Sequence, residues 1–163
     1  DVNINTTIDF ASLSGAFISG TGDYVNLFEP NATQLEKLGY GYVVSSVGEL
    51  SGEMPYTAFN ARKSYIEKNE KIVKAFAKSI KEGLDFVHNN SAEVIANTII
   101  KQFPDTSKND LIKIIDRYKN NDSWLETPYI SEESFKNLMS IMIKSNQIKE
   151  YVNYNDLIIN YYE

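Results

Sequence analysis

The spacing of hydrophobic residues along the chain changes character near residue 56. Before that point, short runs suited to strands alternate with short runs suited to helices. The predicted strands are 4–7, 24–28, 42–46 and 56–61, and the predicted helices are 10–19 and 30–38. Because strands that alternate with helices are typical of a parallel sheet, the first third of the chain predicts an α/β fold.

From residue 62 onward the pattern is almost entirely helical. Residues 70–87 carry apolar side chains at three-and-four spacing, which predicts an amphipathic helix of about five turns with a charged opposite face. Ser91, Ser107 and Ser131 precede further helical runs and are expected to cap them. A last helix is expected at 154–162. We therefore predict two units, an α/β unit over 1–55 and a mostly helical part over 56–163, joined by a crossover at 48–56.

Composition and charge narrow the class of function. The chain has 163 residues, 42% of them hydrophobic, and no cysteine, so disulfides, thiolate metal sites and cysteine nucleophiles are excluded. The net charge of −6 arises within residues 1–55, and the basic stripe on the predicted helix 70–87 has acidic neighbours. Binding of nucleic acid requires clustered basic residues in net excess, so we expect no nucleic-acid partner.

The stretch from Gly20 to Pro30 holds the strongest candidate for a binding site. It combines a helix stop, a short strand and a helix start, which places Phe28 and Glu29 at the carboxyl end of a strand, where ligands bind in open α/β sheets. The alternative is that Glu29 only complements the dipole of the following helix. His88 is the only histidine and follows a predicted helix, so neither a histidine metal site nor a catalytic triad is expected.

A set of short motifs carries a resemblance to a known family. The motifs are Ala16-Phe17, Gly20-Thr21-Gly22-Asp23-Tyr24, Phe28-Glu29-Pro30, Val43-Val44-Ser45-Ser46, Pro55-Tyr56-Thr57 and Tyr65-Ile66. In this order they resemble the C-terminal half of the substrate-binding proteins that serve ABC importers of nitrate, sulfonates, taurine and thiamine-precursor pyrimidines. The resemblance implies a fold like that of type II periplasmic binding proteins. Residues 1–55 would form part of the second-lobe sheet, and residues 56–163 would form the return crossover and the C-terminal helices of the first lobe.

The resemblance also implies a function. The protein would be a solute-binding component that captures a small organic solute in a cleft between lobes, without catalysis, cofactor or metal, and delivers it to an ABC transporter permease. It would work outside the cytoplasm, as a lipoprotein on the outer face of a bacterial cell membrane. The residues expected to face the solute are Phe10, Asp23, Tyr24, Phe28, Glu29, Tyr56 and Thr57.

The same reasoning predicts the solute class and the consequences of chain length. Arg62 is the only cation near the expected cleft, so a neutral or weakly cationic aromatic solute such as a pyrimidine, oriented by Glu29, is favoured over an anion. Family members are about twice as long, which implies a truncated protein that can self-associate through unpaired strand edges. Two alternatives remain open: a pyrimidine-synthase-like enzyme, whose cysteine-rich motif this chain lacks, and a helical module over 56–163 that binds a protein partner.

Overall fold

The fold is helical throughout the part of the chain that the structure describes. The structure is a computed structural model, and it describes residues 2–121 and 123–162. Within these ranges there are helices and no β-strand. The helices are α1 (Leu13–Ile18), α2 (Asn31–Lys37), α3 (Val47–Ser51), α4 (Lys63–Lys68), α5 (Glu70–Asn89), α6 (Ala92–Ile99), α7 (Lys108–Asn120), α8 (Glu132–Lys144) and α9 (Tyr154–Leu157), with single 3-10 turns at Phe10–Ser12 and Ile100–Gln102.

The predicted α/β fold is therefore wrong. The four segments predicted as strands, 4–7, 24–28, 42–46 and 56–61, form neither helix nor strand in the described structure. A strand exists only when its backbone groups pair with a neighbouring strand, and a sequence pattern records only how well side chains suit a pleated surface. The backbone hydrogen bonds outside the helices are confined to turns and helix ends, so these segments have strand-like composition and no ladder among the described residues.

The predicted helix starts are confirmed where they depend on residues close together in the sequence. The hydroxyl oxygens of Ser91, Ser107 and Ser131 accept hydrogen bonds from backbone amides in the first turns of α6, α7 and α8, at 3.4, 3.2 and 3.0 Å. All three predicted caps are confirmed. The expected last helix is shorter than predicted, since α9 ends at Leu157. The expected crossover at 48–56 overlaps α3, which is followed by Gly52 with a φ of 73°, a left-handed conformation that suits glycine.

The hydrophobic core is small and lies toward the C-terminal side of the chain. Its centre is a cluster between α6 and α7, formed by Ala92, Ile95, Ala96, Leu111 and Ile115, with Trp124 packed against it. Phe135 and Met139 are buried on α8. Among the described residues, Leu35 is the one buried hydrophobic side chain that precedes residue 62. The first third of the chain therefore contributes little to the core.

Helix α5 is strongly amphipathic but has no buried residue. The basic stripe on its polar face is paired with acidic neighbours one turn away, Lys74 with Glu70 at 2.7 Å and Lys78 with Glu82 at 3.7 Å. These exposed pairs agree with a solvated surface. Across the described residues, every helix is too short or too polar to cross a bilayer.

Candidate functional site

Three of the aromatic side chains expected to face a solute lie together. The rings of Phe10 and Phe28 have their centroids 5.4 Å apart at an angle of 48°, and the rings of Phe28 and Tyr56 are 5.5 Å apart at 63°. Tilted and edge-to-face pairs at such distances are favourable arrangements of aromatic rings. We call Phe10, Phe28 and Tyr56 the aromatic cluster.

The aromatic cluster is assembled from three turns rather than from one element. Phe10 opens the 3-10 turn before α1. Phe28 precedes α2, and its carbonyl oxygen accepts a hydrogen bond from the amide of Ala32 at 3.2 Å. Tyr56 follows Pro55 in the connection between α3 and α4. All three side chains are exposed, with Tyr56 at 75%, so the cluster presents ring faces and edges to its surroundings.

The other predicted contact residues do not join the aromatic cluster. Asp23, Tyr24 and Thr57 are exposed, and the ring of Tyr24 forms no ring pair with the cluster in the described structure. Their role as solute contacts stays a prediction.

Glu29 has its carboxylate occupied by other parts of the chain. One carboxylate oxygen accepts a hydrogen bond from the guanidinium of Arg117, and the other accepts from the backbone amide of Thr33 at 2.9 Å. The backbone amide of Glu29 donates to the hydroxyl of Tyr118 at 3.3 Å. The Glu29 side chain is only 5% exposed, and that of Arg117 is 19% exposed. This geometry matches the alternative in which Glu29 serves the first turn of α2.

Further ion pairs join α2 to α7. Glu36 accepts hydrogen bonds from Lys113 and, at 3.0 Å, from Arg117, while Lys37 donates to Asp110 at 2.7 Å. Together with Glu29 these residues form what we call the α2–α7 network: Glu29, Glu36, Lys37, Asp110, Lys113 and Arg117. The network attaches the poorly buried first third of the chain to helix α7. It also neutralises Glu29 and Glu36, two of the acidic residues that precede residue 56.

Two carboxylates of the network have perturbed pKa values. The hydrogen bond from Lys113, followed by that from Arg117, holds the pKa of Glu36 below its ordinary value of 4.5, even though partial burial acts in the opposite direction. The hydrogen bond from Lys37, and then that from the Ser107 hydroxyl, lowers the pKa of Asp110 below 3.8. Both groups therefore remain charged well into the acidic range.

The sequence-based reasoning missed Arg117 and Lys113. It took Arg62 as the nearest cation, but Arg62 is the exposed residue before α4. Lys113 and Arg117 are one turn apart on α7, on a different face from the buried Leu111 and Ile115. That spacing reveals a charged stripe, but the acidic partners on α2 are about 80 residues away in the chain and no local pattern identifies them.

Two grooves border α8. One, of about 440 Å³, is lined by Phe135, Lys136 and residues 151–155, and the other, of about 530 Å³, by residues of α8 and by Gly52 and Glu53. In the second, the side-chain amide of Asn137 donates to the backbone oxygens of Ser51 and Glu53 at 3.2 and 3.1 Å. Neither groove includes a residue of the predicted site. The described residues contain no group of three or more histidine, aspartate and glutamate side chains suited to a metal ion.

Comparison with known proteins adds one relative. Over 158 residues the chain is 42% identical to a protein of Bacillus subtilis (strain 168) described as "Putative binding protein YtlA". The match covers 97% of this chain and 47% of YtlA, so the chain spans about half the length of the curated relative it matches. The description of YtlA states a binding role and names no ligand.

The same comparisons correct the predicted family. No protein-family model matches the chain, and no solved structure matches it. The described residues also lack the sheet on which a type II periplasmic binding fold is built. The assignment to the substrate-binding proteins of nitrate, sulfonate, taurine and pyrimidine importers is therefore wrong. The short motifs that suggested it are made of common turn residues, glycine, proline and aromatic side chains, which recur in unrelated folds.

Proposed function

We propose that the chain is part of a non-enzymatic binding protein that captures a small planar solute on the aromatic cluster. The observation that carries the proposal is the contact of three exposed rings, Phe10, Phe28 and Tyr56, brought together from separate turns. The description of YtlA as a binding protein, at 42% identity, supports a binding role. Exposed aromatic groups in mutual contact offer apolar area with little side-chain entropy left to lose on binding.

The charge arrangement favours a neutral or weakly cationic solute. An anion is normally bound by an unpaired guanidinium or by several free amides. Arg117 already donates to Glu29 and Glu36, and Lys113 donates to Glu36. In this proposal Glu29 positions Phe28 through the first turn of α2 and does not contact the solute. A pyrimidine-like ring stacked on the cluster fits these constraints.

The absence of catalysis is part of the proposal. The ring nitrogen Nε2 of His88 lies 3.1 Å from the backbone oxygen of Leu125, which ties this histidine to a helix-end contact. Reversible capture requires neither a general base nor a nucleophile, and the aromatic cluster supplies neither.

We extend the proposal to the acceptor of the solute. Delivery is one use of reversible binding that leaves the ligand unchanged. The acceptor we propose is the permease of an ABC importer, reached from the outer face of a bacterial membrane by a lipid-anchored protein. Disruption of the gene should then reduce uptake of the solute by intact cells, while leaving its intracellular conversion unchanged. Unchanged uptake would contradict this extension without affecting solute binding itself.

Solute binding is tested by titration with a pyrimidine, taurine and nitrate, followed by ligand-observed NMR or calorimetry. Tyr56→Ala removes the most exposed ring of the cluster and should weaken binding of the pyrimidine by about 3- to 10-fold, since an aromatic pair contributes about 0.5–1.5 kcal/mol. The matched control is Phe59→Ala, because Phe59 is an equally exposed ring that packs on Phe76 at 4.8 Å and lies outside the cluster. Equal effects of both substitutions, or binding of an anion alone, would contradict the proposal.

A further inference from the structure

We propose that the apolar surface of residues 2–59 is a docking surface for the part of a longer protein that corresponds to the half of YtlA outside the match. This surface, which we call the front face, includes Val2, Ile4, Tyr42, Val44 and Leu50 and excludes the aromatic cluster, which stays open to the solute. The inference concerns what completes the fold and is independent of which solute the protein binds.

The total accessible surface is too large for a self-contained protein of this mass. The chain exposes 12415 Å² at 18.5 kDa. Folded monomeric proteins of that mass expose about 8,200 Å² by the surface–mass relation. The excess, about 4,200 Å², is larger than one partner's share of a typical obligate interface, about 1,000–2,500 Å². An excess of this size is what a chain separated from the rest of its hydrophobic core would show.

The exposed apolar side chains are concentrated in the front face. Tyr42 is 86% exposed and Val44 is 74% exposed, and they flank Val43 in one short segment. Further large apolar side chains, Val2, Ile4 and Leu50, are exposed to a similar degree. An accumulation of exposed apolar side chains is typical of an interaction site. Three of the four segments of strand-like composition without a backbone partner in the described structure, 4–7, 24–28 and 42–46, lie within residues 2–59, and the fourth, 56–61, begins there.

Charge argues against a second copy of the same face as the occupant. Asp9, Asp23, Glu49 and Glu53 lie among residues 2–59. Lys113 and Arg117 already pair with Glu36 and Glu29, and Lys37 pairs with Asp110, so these basic side chains belong to the α2–α7 network. Two front faces would bring acidic residues against acidic residues, which is unfavourable. The relative supplies another occupant, because more than half of YtlA lies outside the matched 158 residues.

The test compares this chain with full-length YtlA by amide hydrogen exchange and sedimentation. In this chain alone, the amides of 24–28 and 42–46 should exchange rapidly and a hydrophobic dye should bind. In monomeric full-length YtlA, the aligned amides should exchange at least about 100-fold more slowly, as expected for buried backbone. Solute binding is not measured, so failure here is separable from failure of the proposed function.

Aspartate substitutions in both proteins test whether the position of Val44 is buried in YtlA and exposed in this chain. An aspartate placed at the YtlA position aligned with Val44 should lower the Tm of YtlA by about 5 °C or more, because a buried unpaired charge is costly. Val44→Asp in this chain should leave the Tm nearly unchanged, and so should an aspartate at the YtlA position aligned with Ile72 on α5. Equal exchange in both proteins would overturn the proposal. So would protection that appears only at concentrations where either protein forms a dimer, since the occupant would then be a second copy.

Discussion

At the scale of single residues, the pair of Glu29 and Arg117 links local structure to the assembly of the chain. One carboxylate accepts from the Thr33 amide within α2 and from the Arg117 guanidinium on α7. Removing the charge of Glu29 leaves the Arg117 guanidinium, which is 19% exposed, with Glu36 as its remaining carboxylate partner. We expect Glu29→Gln to lower the free energy of unfolding in urea by about 2–3 kcal/mol, somewhat less than for fully buried pairs because Arg117 keeps some exposure.

Two controls define that prediction. Lys78→Gln removes an exposed pair with Glu82 and should change stability by less than about 0.5 kcal/mol. The double variant Glu29→Gln with Arg117→Met should recover part of the loss, since the partly buried guanidinium that has lost Glu29 is removed as well. If Glu29→Gln instead left stability unchanged and weakened solute binding, Glu29 would be a ligand contact as the sequence first suggested.

The serine caps show which parts of the structure the sequence does predict. Each cap is a contact between residues three apart, so Ser91, Ser107 and Ser131 are recognisable from a few neighbouring residues. The same holds for the amphipathic pattern of α5. The resemblance, which proved wrong, implied only that Phe28 and Tyr56 face a solute. Neither their contact with each other nor the pairing of Glu29 with Arg117 was predicted, because both depend on residues distant in sequence.

The serine caps differ in their hydrogen bonds, and single substitutions can test whether this difference sets their contribution to stability. The Ser107 hydroxyl both accepts from the amide of Asp110 and donates to its carboxylate at 2.6 Å, whereas the Ser91 hydroxyl makes one contact at 3.4 Å. Ser107→Ala should therefore cost about 1–2 kcal/mol, and Ser91→Ala less than about 1 kcal/mol. The difference is measured by urea denaturation. A larger loss for Ser91→Ala would show that hydroxyl geometry does not set the strength of these caps.

At the scale of elements, the attachment of α2 to α7 should depend on pH. The pKa values of Glu36 and Asp110 are lowered by Lys113 and Lys37. A carboxylate with a lowered pKa stabilises the fold fully above its unfolded value, here 4.5 and 3.8, and loses that contribution as the pH falls through the folded value. Stability should therefore be level between about pH 6 and 7 and should fall progressively below about pH 4.5.

Substitution separates this effect from general acid denaturation. Glu36→Gln should be less stable than the unsubstituted protein at pH 7, and the difference should shrink toward zero as the pH is lowered below about 4. Glu82→Gln, in an exposed pair on α5, serves as the control and should show a small difference at every pH. A constant difference for Glu36→Gln from pH 7 to pH 3 would mean that its charge is not what joins α2 to α7.

At the scale of the whole molecule, the division into two units predicted near residue 56 stays a prediction, whereas burial does differ along the described chain. Charge, glycine content and hydrophobic spacing all change there, and the fold shows a poorly buried first third and a helical body with the core. The inference of a sheet failed because segments such as 42–46 reveal a preference for pairing and not the presence of a partner. A pattern of this kind identifies the surface that needs a neighbour and leaves the neighbour unidentified.

The difference in burial between residues 40–46 and helices α6 to α8 predicts the order in which a protease cuts the chain. The segment 40–46 is exposed and apolar, whereas α6, α7 and α8 enclose the buried side chains, so opening for cleavage costs far less in the first region. Thermolysin should cut first before Val43 or Val44, and mass spectrometry should show a resistant fragment that contains residues 63–144. In 1 M salt, where the ion pairs of the α2–α7 network are screened, cleavage near α2 should accelerate several-fold more than cleavage within α6. Cleavage of both regions at the same rate would show instead that the chain unfolds as one cooperative unit, in which the first third is as stable as the core.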